Sequence, residues 1–279
     1  MFTKKLISAA VATGALALST LAHAGYVQTP ITINPQGDSV SASGSQFTAA
    51  GMQSNLFSTL NIAGNTGSGV AFTETGHIDV TSFQDAAANA IAGTGLGTGW
   101  SLSANINLSG TGSWSGGTYT ADNAGFNFTI NLVATNLSTA TTVNLGQASV
   151  IPGTVVGFAI AFGSLAPLTT GSALTSLSAN MAFTPAAGTQ GTFFIAPNPF
   201  NVVFAVGNAG GNSLNTGYSV DASGNVTVTT PIPGTTNSGT ANVTFATAVP
   251  EPGALSLVGL ALVGAAVVGR RRKATQATA

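Results

Sequence analysis

From Trp100 to Leu108 every second residue is apolar, and the residues between them are Ser or Asn. Phe126, Phe128, Ile130 and Leu132 alternate in the same way with Asn127, Thr129 and Asn131. Leu177, Ala179, Met181 and Phe183 repeat the pattern, as do Val226 with Val228 and Val243 with Phe245. A period of two sends neighbouring side chains to opposite faces of an extended backbone, so each run predicts a strand with one buried and one wet face. Phe158, Ile160 and Phe162, interleaved with alanines, predict a strand covered on both faces.

Turn signals stand between the runs: Asn34-Pro35-Gln36-Gly37, Asn65 to Gly69, Gly116-Gly117, Pro152-Gly153, Gly210-Gly211 and Asp221 to Asn225. Glycine supplies positive φ there, and Asn or Asp bonds its own backbone. Many short strands punctuated this way predict an all-β fold, a sandwich or related barrel of antiparallel strands. One stretch reads as helical, Phe83 to Ile91, with Ser82 as its N-cap and Asp85 three residues on. No repeat is regular enough for a solenoid.

All six Lys and Arg residues are terminal: Lys4, Lys5, Arg270, Arg271, Arg272 and Lys273. The body between carries Asp38, Glu74, Asp79, Asp85, Asp122 and Asp221, with no Lys or Arg to pair with them. Its stability must come from burial and backbone hydrogen bonds. Nucleic acid is excluded as a partner, because nothing neutralises its phosphates. Cysteine is absent, so there is neither a disulfide nor a thiol nucleophile.

The termini predict where the chain goes. Residues 1–24 have the form of a secretory signal peptide. Lys4 and Lys5 precede an apolar stretch to Leu21, and Ala22-His23-Ala24 is the cleavage signal that leaves Gly25 as the new N-terminus. Residues 25–248 are then an exported β-rich domain. In residues 249–273, Pro250-Glu251-Pro252 precedes an apolar run from Ala254 to Gly269 and the basic cluster Arg270 to Lys273. As a helix that run spans about 24 Å against a hydrocarbon core of about 30 Å; snorkelling arginines and slight thinning of the bilayer make one membrane helix feasible. Basic residues stay cytoplasmic, which leaves residues 274–279 as a short inner tail and the body outside.

The ordered triplet, helix and basic cluster resemble the PEP-CTERM sorting signal of Gram-negative bacteria. The resemblance implies processing by an exosortase, a transient stay in the inner membrane and a link to exopolysaccharide. It also implies that Pro250, Glu251 and Pro252 form the recognition element and that Arg270, Arg271, Arg272 and Lys273 stop transfer. The stretch Gly191 to Phe200, with Asn34-Pro35 as a weaker echo, resembles flocculation-associated PEP-CTERM proteins. That likeness implies a matrix role in cell aggregation and supplies no catalytic residues.

Candidate chemistry in the body is sparse. A Ser-His-Asp triad would have to use His77, with Glu74 and Asp79 nearby. On one regular strand those two acids face opposite ways, and a loop histidine is the simpler reading. Asp221 to Asn225 has oxygen ligands but reads as a hairpin turn. Gly93 to Gly99 leads into a strand, where a dinucleotide fingerprint needs a helix. Trp100 and Trp114 are candidates for stacking on sugar rings, with core or edge packing as the alternative. The expectation is therefore a non-enzymatic matrix protein without cofactor that binds exopolysaccharide or itself, the latter through sheet edges unprotected by lysine. Closed edges are the competing arrangement, and a carbohydrate-binding module or a glycosidase using Glu74 are the competing functions.

Overall fold

The computed structural model describes residues 26–248 apart from positions 43, 153, 155, 163–169, 188–191, 197–199, 207–213 and 231–238. Gln28–Thr247 form one compact unit, and the second, Met1–Val27 with Ala248–Ala279, lies almost wholly outside the described residues.

Sixteen strands are described. The first five are β1 (Tyr26–Gln28), β2 (Ile31–Ile33), β3 (Phe47–Ala49), β4 (Gly51–Ile62) and β5 (Val70–Gln84). Next come β6 (Trp100–Ser115), β7 (Thr118–Ala121), β8 (Asn127–Asn136), β9 (Thr141–Val150), β10 (Gly157–Ala161) and β11 (Thr170–Pro185). The last are β12 (Phe194–Ala196), β13 (Asn201–Val206), β14 (Leu214–Val220), β15 (Val226–Thr230) and β16 (Gly239–Ala248). Among the described residues there is no α-helix.

The long strands β4, β5, β6 and β11 organise the sheet, because each has room for different partners along its length. β4 pairs with β16 over Gly51–Leu56 and with β15 over Ser58–Ile62. β6 pairs with β8 up to Ser109 and with β7 from Gly112. β11 pairs first with β14 and β10, then with β13 and β9. Two antiparallel rings of eight strands result, stacked along one axis. One runs β4-β5-β6-β8-β9-β11-β13-β16 and returns to β4. The other runs β4-β5-β6-β7-β10-β11-β14-β15 and also returns to β4. Of the two arrangements the sequence allows, the barrel is the one formed, and among the described residues each ring closes strand to strand, with one-sided pairing left at strand ends such as Thr141–Asn144 of β9 and Val80–Ser82 of β5. The expected route to self-association through open edges is therefore closed along the doubly paired part of this wall.

Alternation explains the cross-section. Leu56, Leu60, Ile78, Leu102, Ile106, Ile130, Met181 and Phe204 point inward and are buried, while Asn55, Thr75, Asn105, Asn107 and Thr129 lie on the opposite face. Each fully buried Leu, Ile or Phe contributes about 1.5–3 kcal/mol, which replaces the ion pairs this body cannot make. A remaining cavity of about 30 Å³ lined by residues such as Met52, Ile78, Leu132 and Phe245 has room for little more than one water. The barrel is thus a filled core. Its polar outside and apolar inside reverse the pattern of membrane-spanning barrels.

Glycine at position 112 makes room for a neighbouring aromatic ring on β7. A Cβ on Gly112 would lie 2.5 Å from the Thr120 carbonyl oxygen and 2.6 Å from the Tyr119 ring. That space is taken by Tyr119, whose hydroxyl donates 2.7 Å to the Val70 carbonyl.

A three-stranded sheet, β12-β2-β3, covers one end of the barrel. Phe193 and Phe194 pack edge-on, Phe194 reaches Phe183 and Phe200, and Phe200 reaches Phe245. The Asn34 N–H donates to the Phe193 carbonyl at 2.8 Å, and Asp38 accepts from the Phe193 N–H at 3.1 Å. The stretch near Asn34-Pro35 therefore meets Phe193, from the second stretch singled out in the sequence, in this cap.

Two sequence expectations are corrected. The Phe83–Ile91 stretch is not helical: Ser82 and Phe83 stay paired with Gln53 and Met52, so β5 continues to Gln84. Asp85 then closes a five-residue turn. One carboxylate oxygen accepts from the Ala87 and Asn89 N–H groups at 2.9 Å, and the other from the Asn89 side chain. Asp221 makes the same set of bonds to Ser223 and Asn225. The second correction concerns β10. Ala159 and Ala161 are only half-buried, so its alanine face is not fully covered.

The two Asp-x-x-x-Asn turns differ where it matters energetically. Gly224 has φ +84°, whereas Ala88 holds φ +64°. A left-handed conformation costs a residue with Cβ about 1–2 kcal/mol, and glycine returns roughly half of that through its freer unfolded chain. Ala88→Gly is expected to stabilise the protein by about 0.5–1 kcal/mol. A lower denaturation midpoint for the variant would contradict this.

Candidate functional site

The first residue of β6, Trp100, is 0% exposed. Its Nε1–H donates 3.0 Å to the Thr94 carbonyl, and its ring packs against Phe83 and edge-on to Phe193. No face is left for a sugar, so the stacking role expected of Trp100 is replaced by core packing. Trp114 is half-buried, donates 3.1 Å to the Gly64 carbonyl and packs against Tyr119 and Phe162. Packing accounts for it too.

The acids of β5 are separated by the barrel wall. Glu74 faces inward and is 8% exposed, while His77 and Asp79 face outward with His77 Nε2 3.9 Å from Asp79 Oδ2. Gly76 does not bend the strand enough to bring them together, and Glu74 forms no constellation with His77. Burial pushes the Glu74 carboxyl above its ordinary value, and a hydrogen bond with Ser58 offsets part of that rise. Ser58, Thr175, Thr216 and Thr230 are other buried polar residues of the second ring, with the Thr175 and Thr216 hydroxyls 3.1 Å apart.

Asp85 and Asp221 are exposed turn residues whose carboxyls are held below the usual range by their bonds to Asn89 and Asn225. Their oxygens are occupied by the turns themselves. Among the described residues no group of three or more His, Cys, Asp or Glu side chains could hold a metal ion.

The sequence reading missed a row of side chains on the outer wall. Strand register places Phe57 beside His77, His77 beside Asn105, Asn105 beside Asn131, and Asn131 beside Gln147. The Phe57 and His77 rings are stacked at 4.8 Å and 15°. The Gln147 amide donates 2.9 Å to Asn131. Each residue belongs to a separate alternating run, so only the register of four strand pairs reveals the row.

The signal-peptidase residues Ala22, Ala24 and Gly25 lie outside the described residues, as do Pro250, Glu251, Pro252, the helix expected after them and the cluster Arg270 to Lys273. No described helix is long and apolar enough to cross a membrane. The family model of the PEP-CTERM protein-sorting motif matches residues 248–273, and the chain carries that motif. It marks a protein exported across the inner membrane to the cell surface or beyond and processed by an exosortase. No curated protein and no solved structure matches the chain.

Proposed function

We propose that the protein is a non-enzymatic component of the extracellular matrix of a Gram-negative bacterium, promoting cell aggregation together with exopolysaccharide. The observation that carries this reading is the sorting motif at residues 248–273 attached to a filled barrel whose outer wall is mostly hydroxyls and amides and carries no Lys or Arg. Such a wall exchanges hydrogen bonds with hydrated, neutral polymers and has no cationic groups for anionic ones. Export delivers it to the compartment where those polymers lie. Self-association through the closed part of the ring strands is blocked, because their backbone groups are already paired on both sides.

Deleting the gene is expected to abolish or sharply reduce floc formation, with rescue by the intact chain. A chain lacking residues 249–279 is expected to be exported but to fail in restoring flocs. Normal flocs in the deletion strain, with the protein absent from the matrix fraction of the wild type, would reject the proposal.

A further inference from the structure

We propose that the outer row formed by Phe57, His77, Asn105, Asn131 and Gln147 is a binding lane for an extended neutral polysaccharide. The first ground is the position of Phe57. Every other phenylalanine among the described residues lies in the core or packs against it; Phe57 alone does neither. Its ring faces outward on β4, where solvent exposure is unfavourable, and it stacks on the imidazole of His77. The pair forms an apolar platform whose same-face neighbours on β4, β5 and β6 are Asn55, Thr59, Thr75, Asp79, Ser103 and Asn107.

The second ground is what stands beside the platform. Across the next three strands the row continues as Asn105, Asn131 and Gln147. Each amide offers both a donor and an acceptor, the complement of a sugar hydroxyl. Strands stand about 4.8 Å apart, a spacing close to one hexose along an extended chain. An apolar ring face followed by evenly spaced amides matches the two surfaces of a sugar polymer, its C–H face and its hydroxyl edge.

Charge selects among polymers. Asp79 sits next to His77 on the same face, and no Lys or Arg exists anywhere in the body to offset it. An acidic polysaccharide is repelled and a neutral one is not. A protein partner would need a larger apolar patch than one ring pair. The lane deepens the matrix reading and rests on it, because the lane meets polysaccharide only in a protein that is exported.

The test is affinity electrophoresis of the exported protein, purified from host culture, through gels containing hydroxyethyl cellulose or alginate. Hydroxyethyl cellulose is expected to retard the wild type and alginate is not. Phe57→Ala should weaken that retardation about tenfold, the loss of one stacked ring. Asn131→Ala should weaken it about threefold, as expected for one amide. Both positions are outside the core, and unchanged melting midpoints would show that folding is intact. Three results overturn the lane: wild type that migrates freely in hydroxyethyl cellulose, retardation by alginate alone, or Phe57→Ala that is retarded like the wild type. None of these touches the deletion experiment, so the lane can fail while the matrix role stands.

Discussion

Glu74→Gln is expected to make the protein more stable at neutral and alkaline pH and to leave it nearly unchanged in acid. Glu74 is enclosed by the barrel wall, its hydrogen-bond partner is the neutral hydroxyl of Ser58, and burial raises its carboxyl above the ordinary 4.5. No cation is available in the body, and His77, the one basic side chain on that strand, faces the other way. The folded protein therefore keeps the Glu74 proton at pH values where the unfolded chain has lost it. Stability from this group is complete below the unfolded value near 4.5 and falls as pH rises through the elevated folded value. Glutamine keeps the shape and cannot ionise, so it removes the slope. Asp85 and Asp221 act oppositely: their lowered values give stability that is lost as pH falls. They are present in both proteins and cancel in the difference. Denaturation midpoints measured from acid to alkaline pH would show two curves that meet at low pH and separate above it. Parallel curves would refute the assignment.

Trp100→Ala should cost about 3–5 kcal/mol, as for a large aromatic side chain removed from a packed core. The loss has two parts. A cavity opens where Phe83 and Phe193 met the indole, and the Thr94 carbonyl loses its donor inside the protein. At roughly 2–4 °C per kcal/mol for a domain of this size, the melting temperature should fall by on the order of 10 °C. Since the lost contact joins β6 to the capping sheet, protease cleavage near Phe193 should accelerate as well. Trp114→Ala should cost less, because that ring is only half-buried. A Trp100→Ala protein that melts like the wild type would contradict the packing described for this end of the barrel.

Local pattern made the strands readable. The alternations at Trp100–Leu108, Phe126–Leu132 and Leu177–Phe183 fall in β6, β8 and β11, or start one residue ahead of them, with their apolar members inside. The turn at Asp221 to Asn225 was readable for the same reason, since an Asp side chain reaches its own backbone within five residues. Phe83 to Ile91 misled because three alanines after an Asp satisfy helical propensity, and only the pairing of Ser82 and Phe83 with β4 overrides it. Closure was beyond local pattern altogether. β4 meets β16 across most of the chain, and period two looks identical in an open sandwich and a shut barrel. The inward course of Glu74 followed from parity on β5, yet parity alone could not say which face was the interior. The row from Phe57 to Gln147 needed every register between them.

The seam between β4 and β16 ties closure of the barrel to the far end of the chain. The amino-terminal partner of that seam is the fourth strand of the chain, while β16 is the last described strand and ends at Ala248, where the sorting motif begins. Over Gly51–Leu56 the only partner of β4 on that side is β16, so this part of the wall cannot close without the last strand. The segment that shuts the wall, Gly239–Thr244, thus lies directly ahead of the sorting motif, so a chain cut short of it would lose the seam and the motif together.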